Sequence, residues 1–389
     1  MRKFLALICI GAMVMAGCLG TQDCVAVGAS GQSDIDISAK SAFLMEGKSG
    51  KTLFAKGADK QLPIASMVKT MTLALIYDAL EDGRLKLDDD ITVSPNASGM
   101  GGSQAFLDFD SVYKADDLIK SIVIASANDS CVALAEHLYG SESAFVDKMN
   151  QKAAELGMVN TNFANCTGLP AVGGYSSAED VAKMYAYIMK SPFYGKDHSI
   201  WMYDLQHPSG RVTGLTNTNK HARFFKDSAG GKTGFTKEAG HCIAVAGKRN
   251  NLEPIAVIIG ASDSATRFAE SARLLNHAFD NYSNKLIVDA TKPIGNVKLQ
   301  KAWDNNVNVF ARENFYDLVQ KGDKGQPTVN VEVVKSVSAP VSKDSALGRI
   351  IITEDGKVVK EMDVVASVDI KALTYGQAIK KIAQKFRTF

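Results

Sequence analysis

The sequence predicts an α/β (α+β) chain: a mixed domain in which an antiparallel sheet carries a helical subdomain, followed by a small all-β domain. Three observations carry this. Short apolar strand patterns stand at both ends of residues 34–282, with segments of helical period between them. From residue 283 the apolar period falls to two around a strong turn dipeptide. The 389 residues, 46% hydrophobic and 22% charged, are enough for two domains and argue against extended disorder.

Residues 1–29 stand apart as a signal and linker. Arg2 and Lys3 precede an apolar run from Phe4 to Ala16, shorter than a bilayer span and shaped like a secretory h-region, which implies export. Two cleavage sites fit. Met15-Ala16-Gly17-Cys18 resembles a lipoprotein box that would leave a lipidated Cys18, whereas Val25-Ala26-Val27-Gly28-Ala29 has the small residues of an ordinary signal-peptidase site.

Within 34–282, Ser41–Met45 and Thr52–Phe54 read as strands around the turn Glu46–Gly50. Pro63 precedes a helix expected from Ser66 to Glu81, with Met67, Thr70, Met71, Ala74, Leu75 and Ala79 inward and Gly83 as its stop. Further helices are expected over 115–124, 129–138, 143–156 and 177–189, the last opened by the cap Ser177-x-x-Asp180. Three strands follow at 231–235, 241–246 and 254–259. A helix over 264–279 then turns Phe268, Ala269, Ala272, Leu275 and Ala278 inward.

The all-β domain covers 283–371. Val329, Val331 and Val333 alternate with polar residues, and Ile350–Thr353 and Lys357–Lys360 flank the hairpin turn Glu354-Asp355-Gly356. Over 372–389, Tyr375, Ile379, Ile382, Phe386 and Phe389 recur three and four apart. Lys371, Lys380, Lys381, Lys385 and Arg387 surround them, and no acidic residue falls between 371 and 389. A basic amphipathic helix of this kind suits an anionic membrane surface, although Gly376 weakens its start.

Composition excludes other classes. A net charge of +2 without a basic, aromatic-interleaved stretch gives no reason to expect a nucleic-acid partner. Six cysteines in this length make no disulfide scaffold, and whether Cys131, Cys166 and Cys242 form a disulfide stays open. Histidine and cysteine spacings suggest no metal, and no cofactor is expected.

Three short elements carry the candidate chemistry. In Ser66-Met67-Val68-Lys69, a helical spacing of three puts both side chains on one face, near the free N–H groups of a helix start. Serine is a weak nucleophile. A lysine whose pKa is depressed by burial and neighbouring positive charge is a base able to take its proton. Ser126-Ala127-Asn128 lies where two helical patterns join, so a short turn aims both polar side chains one way. Ser126 would relay a proton between Lys69 and a leaving amine; Asn128 would hold a substrate amide or orient Lys69. Gly231-Lys232-Thr233-Gly234 lies on an expected strand whose glycines admit a substrate backbone to its edge. Lys232 adds positive charge there, and Thr233 offers a hydroxyl. Each element alone is common, but the three in this order form a specific combination.

With these motifs the sequence resembles the low-molecular-mass penicillin-binding proteins that act as D-alanyl-D-alanine carboxypeptidases, the S11 serine peptidases. The resemblance extends to Pro63-Ile64-Ala65-Ser66, to Asn165-Cys166-Thr167-Gly168-Leu169-Pro170 and to Gly174-Tyr175-Ser176-Ser177-Ala178-x-Asp180. It includes Ala239-Gly240-His241-Cys242, where the family usually has Ala-Gly-Tyr, and places Arg267 at the family's substrate-side arginine. Ala127 replaces the aspartate of the S-D-N form. The similarity spans residues 34 to 282 well and the last two segments more loosely.

The resemblance implies a penicillin-binding/β-lactamase-like transpeptidase fold that cleaves the terminal D-Ala-D-Ala bond of peptidoglycan stem pentapeptides. Ser66 would be the nucleophile, Lys69 the base and Ser126 the relay. Asn128, Lys232, Thr233, Gly234, Phe235 and Arg267 would bind substrate, with the N–H groups of Ser66 and Phe235 as the oxyanion hole. It further implies β-lactams as covalent inhibitors, and a location at the outer face of the bacterial cytoplasmic membrane or in the periplasm or cell-wall space. Membrane contact would come through the tail, with a Cys18 lipid under the first cleavage reading. A β-lactamase, a D,D-endopeptidase and a non-catalytic cell-wall-binding protein remain alternatives on the same fold. No counterpart of the deacylating glutamate of class A β-lactamases can be placed, which lowers the lactamase reading.

Overall fold

The computed structural model describes residues 35–323 and 327–386. The expected signal, both cleavage sites with Cys18, and the tail residues Arg387 and Phe389 lie outside the described residues, as do the side chains of Lys385 and Phe386.

The strand patterns at the two ends of the first domain meet in one antiparallel sheet of five strands. Its order is Thr52–Lys56, Ser41–Glu46, Pro254–Ala261, Gly240–Gly247 and Ser228–Thr236. The join between the two ends is the register Phe43↔Val257 and Leu44↔Ala256. Ser41–Glu46 is buried along its whole length, so both faces of the sheet are covered there and the strand reads as a continuous apolar run. Ala178–Ile188 and Ser264–Asn281 both pack on the central strands.

Two helices depart from the sequence expectation. Lys69–Glu81 buries eleven of its thirteen residues, not one stripe, because it runs through the middle of the helical subdomain. In Ser264–Asn281 the inward face is rotated. Arg267, Glu270, Ser271, Leu274, Leu275, Ala278 and Phe279 are buried, Phe268 and Ala272 are only half-buried, and Ala269 is exposed. The cause is polar pairing at the first turns of that face. Glu270 accepts from the Ser38 N–H and hydroxyl, and the Ser271 hydroxyl lies 2.9 Å from His221 Nε2. Apolar periodicity could not register those positions.

Beyond Asn281 the chain is β-rich. A six-stranded sheet encloses a core that includes Val297, Val309, Ile350, Ile352 and Val364. Tyr282–Val288 pairs separately with Phe315–Gln320. Asp355 and Gly356 close the hairpin of Ala346–Glu354 and Lys357–Ala366 with φ of 48° and 75°, the doubly left-handed turn that Asp-Gly favours. The tail helix runs from Tyr375 to Phe386. A capping box offsets the weakness of Gly376: Gln377 N–H donates to Thr374 Oγ1, while Gln377 Oε1 accepts from Thr374 N–H at 3.0 Å.

Candidate active site

Ser228–Thr236 is the free edge of the five-stranded sheet, and the Ser66 backbone lies directly against it. A Cβ placed on Gly234 would come within 2.8 Å of Ile64 O and 3.1 Å of Ser66 N, so only glycine admits this approach.

The expected helix starts differently from its pattern. Ala65–Val68 is a 3-10 turn and the α-helix begins at Lys69. Residues three apart eclipse in a 3-10 turn, which aligns Ser66 and Lys69 more closely than an α-helix would. Lys69 Nζ lies 3.2 Å from Ser66 Oγ and donates to Thr167 O at 2.6 Å. Lys69 is fully buried, and burial holds its pKa below the ordinary lysine value. Ala65 carries a φ of 47°, a left-handed conformation that costs a residue with a Cβ about 1–2 kcal/mol. Gly168 packs against it so tightly that a Cβ there would sit 2.1 Å from Ala65 O.

Ser126 ends the helix Ala115–Ala125 in the left-handed conformation, φ 64°, and its Oγ accepts from Lys232 Nζ at 2.7 Å. Lys232 is buried too. Burial, then the positive charge of Lys69, hold its pKa well below the usual range. The two serine–lysine pairs therefore share one site.

Asn128 does not orient Lys69. Its Nδ2 donates to Gly101 O at 2.6 Å, and Thr167 O holds the lysine instead. Asn128 Oδ1 is left buried without a partner among the described residues, an acceptor facing no protein donor. Thr233 Oγ1 lies 2.8 Å from Thr218 Oγ1. Phe235 is exposed, its ring 4.4 Å from that of His241. Arg267 reaches the strand end, donating to Gly234 O at 3.0 Å and Cys242 O at 3.3 Å; its pKa is lowered by burial.

Sequence reasoning gives no role to Gly101, Thr167 or Thr218. Thr167 and Gly168 had a signal in the Asn165–Pro170 segment, where Asn165 Oδ1 binds the Thr167 and Gly168 N–H groups and folds the loop. Thr218 had none, since its place depends on the return of the Met202–Gln206/Val212–Thr216 hairpin. Among the described residues, Cys131, Cys166 and Cys242 are buried free thiols. Beside Ser66 lies a cavity of about 110 Å³, lined by residues that include Val68, Asn162, Leu169, Tyr175, Thr236 and Glu238.

Known proteins match over both domains. The family model described as D-alanyl-D-alanine carboxypeptidase matches residues 27–263, and that of the penicillin-binding protein 5 C-terminal domain matches residues 282–372. The D-alanyl-D-alanine carboxypeptidase DacF of Bacillus subtilis (strain 168) is 34% identical over 385 residues, 98% of either chain. DacA of Haemophilus influenzae is 29% identical over 329 residues, 82% of either chain. Penicillin-binding protein 5 from Haemophilus influenzae, in its crystal structure, superposes with a TM-score of 0.71 at 28% identity, over 88% of this chain and 100% of that one. With its catalytic sheet and its β-rich C-terminal domain both accounted for, the chain belongs to the D-alanyl-D-alanine carboxypeptidase family, the serine-type S11 branch of the penicillin-binding proteins.

Proposed function

We propose that this carboxypeptidase releases D-alanine from peptidoglycan stem pentapeptides through an ester on Ser66, outside the cytoplasm and at a membrane surface. The observation that carries the reading is a buried lysine of lowered pKa 3.2 Å from Ser66 Oγ, beside a second serine–lysine pair.

One N–H of a neutral Lys69 is committed to Thr167 O, which leaves its lone pair for the Ser66 proton. Ser66 Oγ attacks the carbonyl carbon of the penultimate D-alanine. The resulting oxyanion accepts from the N–H groups of Ser66 and Phe235, which the close approach at Gly234 favours. Collapse breaks the C–N bond, and the proton on Lys69 passes through Ser126 to the departing D-alanine amine. Water then hydrolyses the ester.

A substrate strand adding antiparallel to Ser228–Thr236 puts its C-terminus near Lys232 and Thr233 and its upstream residues toward Thr236 and the cavity beside Glu238. Lys232 and the Thr233–Thr218 hydroxyls then meet the terminal carboxylate. Arg267 holds the Gly234 carbonyl and adds positive charge. Asn128 Oδ1 is free for a substrate N–H. β-Lactams acylate the same serine but keep their leaving nitrogen tethered, so the ester persists.

The test is product analysis on a defined pentapeptide and a crosslinked dimer. Free D-alanine from the monomer is expected; preferential cleavage of the dimer moves the assignment to a D,D-endopeptidase, and rapid penicillin turnover to a β-lactamase. Absence of any penicillin adduct leaves only the non-catalytic reading.

The pH dependence has a definite sign. Lys69 acts unprotonated, so acylation falls as pH drops through its pKa. Burial lowers that pKa, so the acid limb lies below the ordinary lysine value of about 10.4. Stopped-flow acylation by a chromogenic cephalosporin across pH reads it. A limb at the ordinary value counts against Lys69 as the base.

Attachment to the membrane rests on the tail. Tyr375, Ile379 and Ile382 are 85%, 52% and 57% exposed, beside the exposed Lys371 and Lys380.

A further inference from the structure

The tail helix is amphipathic in the opposite sense from a helix that belongs to its own domain. Its polar side is the fastened one. Lys381 Nζ donates to Ala302 O at 2.8 Å and to Trp303 O at 2.6 Å. Gln377, one turn earlier on that side, lines a groove with Leu299, Trp303 and Val368. Its apolar side, Tyr375, Ile379 and Ile382, faces solvent. A helix folded for its own core does the reverse, so the outward stripe calls for an apolar partner.

The loop that holds the helix is itself apolar at its tip. Trp303 is 44% exposed, whereas Ala302 beside it is buried. The carbonyls of Lys301, Ala302 and Trp303 all accept from the tail segment, the first from Leu373 N–H at 2.8 Å and the others from Lys381 Nζ. Loop and helix are thus bonded as one body. Lys301, Lys371, Lys380 and Lys381 on this body outnumber its acids, Asp304 and Asp369. Exposed tryptophan flanked by lysines suits the headgroup layer of an anionic bilayer, where an amphipathic ring has both an apolar and a wet side.

We propose that the Trp303 loop is a second membrane-contacting element, entering the headgroup layer of an anionic bilayer together with Tyr375, Ile379 and Ile382. This rests on the membrane reading of the tail. Its consequence is orientation: a lone helix can swivel beneath its domain, but a helix bonded to a loop of that domain fixes how the domain stands on the surface. The catalytic domain follows, because Lys51 pairs with Asp317 and Glu354, and Lys321 donates to Phe279 O at 2.8 Å.

The chain has two tryptophans, Trp201 and Trp303, so a Trp201→Phe variant leaves Trp303 as the only tryptophan emitter. Exported protein carrying it is mixed with phosphatidylglycerol vesicles whose acyl chains are brominated. Quenching of Trp303 emission is expected. A Trp303→Ala variant is expected to partition about five- to tenfold less, the scale of burying part of one aromatic side chain. Lys381→Ala should lose most quenching and partition less by a similar factor, since it releases the Ala302 and Trp303 carbonyls from the helix. Unchanged penicillin acylation certifies that each variant is folded. Partitioning without quenching overturns the two-element platform and leaves the tail reading intact; no partitioning at all removes both. If sedimentation without lipid shows self-association that Trp303→Ala abolishes, the face belongs to a second copy of the chain and the proposal fails.

Discussion

A Ser66→Ala chain is expected to take up no labelled penicillin and to lose D-alanine release by about 10⁴-fold or more, the scale of removing a nucleophile that works as a unit with its base. The structure gives the reason in two contacts. Lys69 Nζ is held by Thr167 O at 2.6 Å, and the hydroxyl it faces at 3.2 Å is that of Ser66. Without that hydroxyl the lysine has nothing to activate. Lys69→Arg is the companion variant, because it keeps a positive charge but cannot deprotonate at working pH. It should lose nearly as much if Lys69 acts as a base, and far less if the lysine only stabilises charge. Intact-mass measurement after exposure to penicillin reads both. Equal labelling of wild type and Ser66→Ala removes the nucleophile assignment.

Gly168→Ala is expected to have the next largest effect, although it touches no reacting atom. An added Cβ would lie 2.1 Å from Ala65 O, 2.5 Å from Ala65 C and 2.9 Å from Ser66 N, all backbone atoms that no rotamer change can move aside. The left-handed φ of 79° at Gly168 adds further strain. Relief requires the nucleophile turn to shift, and a displacement of about 1 Å at a reacting group is worth on the order of 100-fold in rate. The measurements are a thermal melt and the second-order acylation constant. Gly173→Ala is the control, since its φ of 82° imposes similar strain while the nearest atom to its Cβ is 3.9 Å away. Gly173→Ala should lose some stability and keep its acylation rate. Equal acylation losses in the two variants would mean that φ strain, not the contact with Ala65, sets the effect.

The legible parts of this protein are those whose signal is local. Asp355-Gly356 specifies a left-handed turn whatever surrounds it, and the hairpin stands where the dipeptide places it. Ser177 caps its helix by accepting from Asp180 N–H, as the spacing required. Ser66, Ser126 and Lys232 could be picked out because each stands in a short motif of its own. What was misread depends on distant partners. The inward face of Ser264–Asn281 is polar at Arg267, Glu270 and Ser271, because Gly234, Ser38 and His221 wait opposite them. Of the two roles the sequence leaves open to Asn128, orienting Lys69 falls to Thr167 O, because Asn128 Nδ2 donates to Gly101 O.

The sequence by itself determined the strands at both ends of the first domain with helices between them, the two-domain plan, the three motifs and the basic apolar tail. These are properties of neighbours a few residues apart, where period, turn chemistry and capping act. Only the tertiary structure decided that Lys69 is buried against Thr167, that Ala65 is held left-handed by Gly168, and that the tail helix turns its apolar stripe outward from the Trp303 loop. Each of these is a contact between segments remote in sequence, and its energy depends on burial and on who stands opposite. Periodicity reports which side of a segment is apolar, but only packing decides what that side meets.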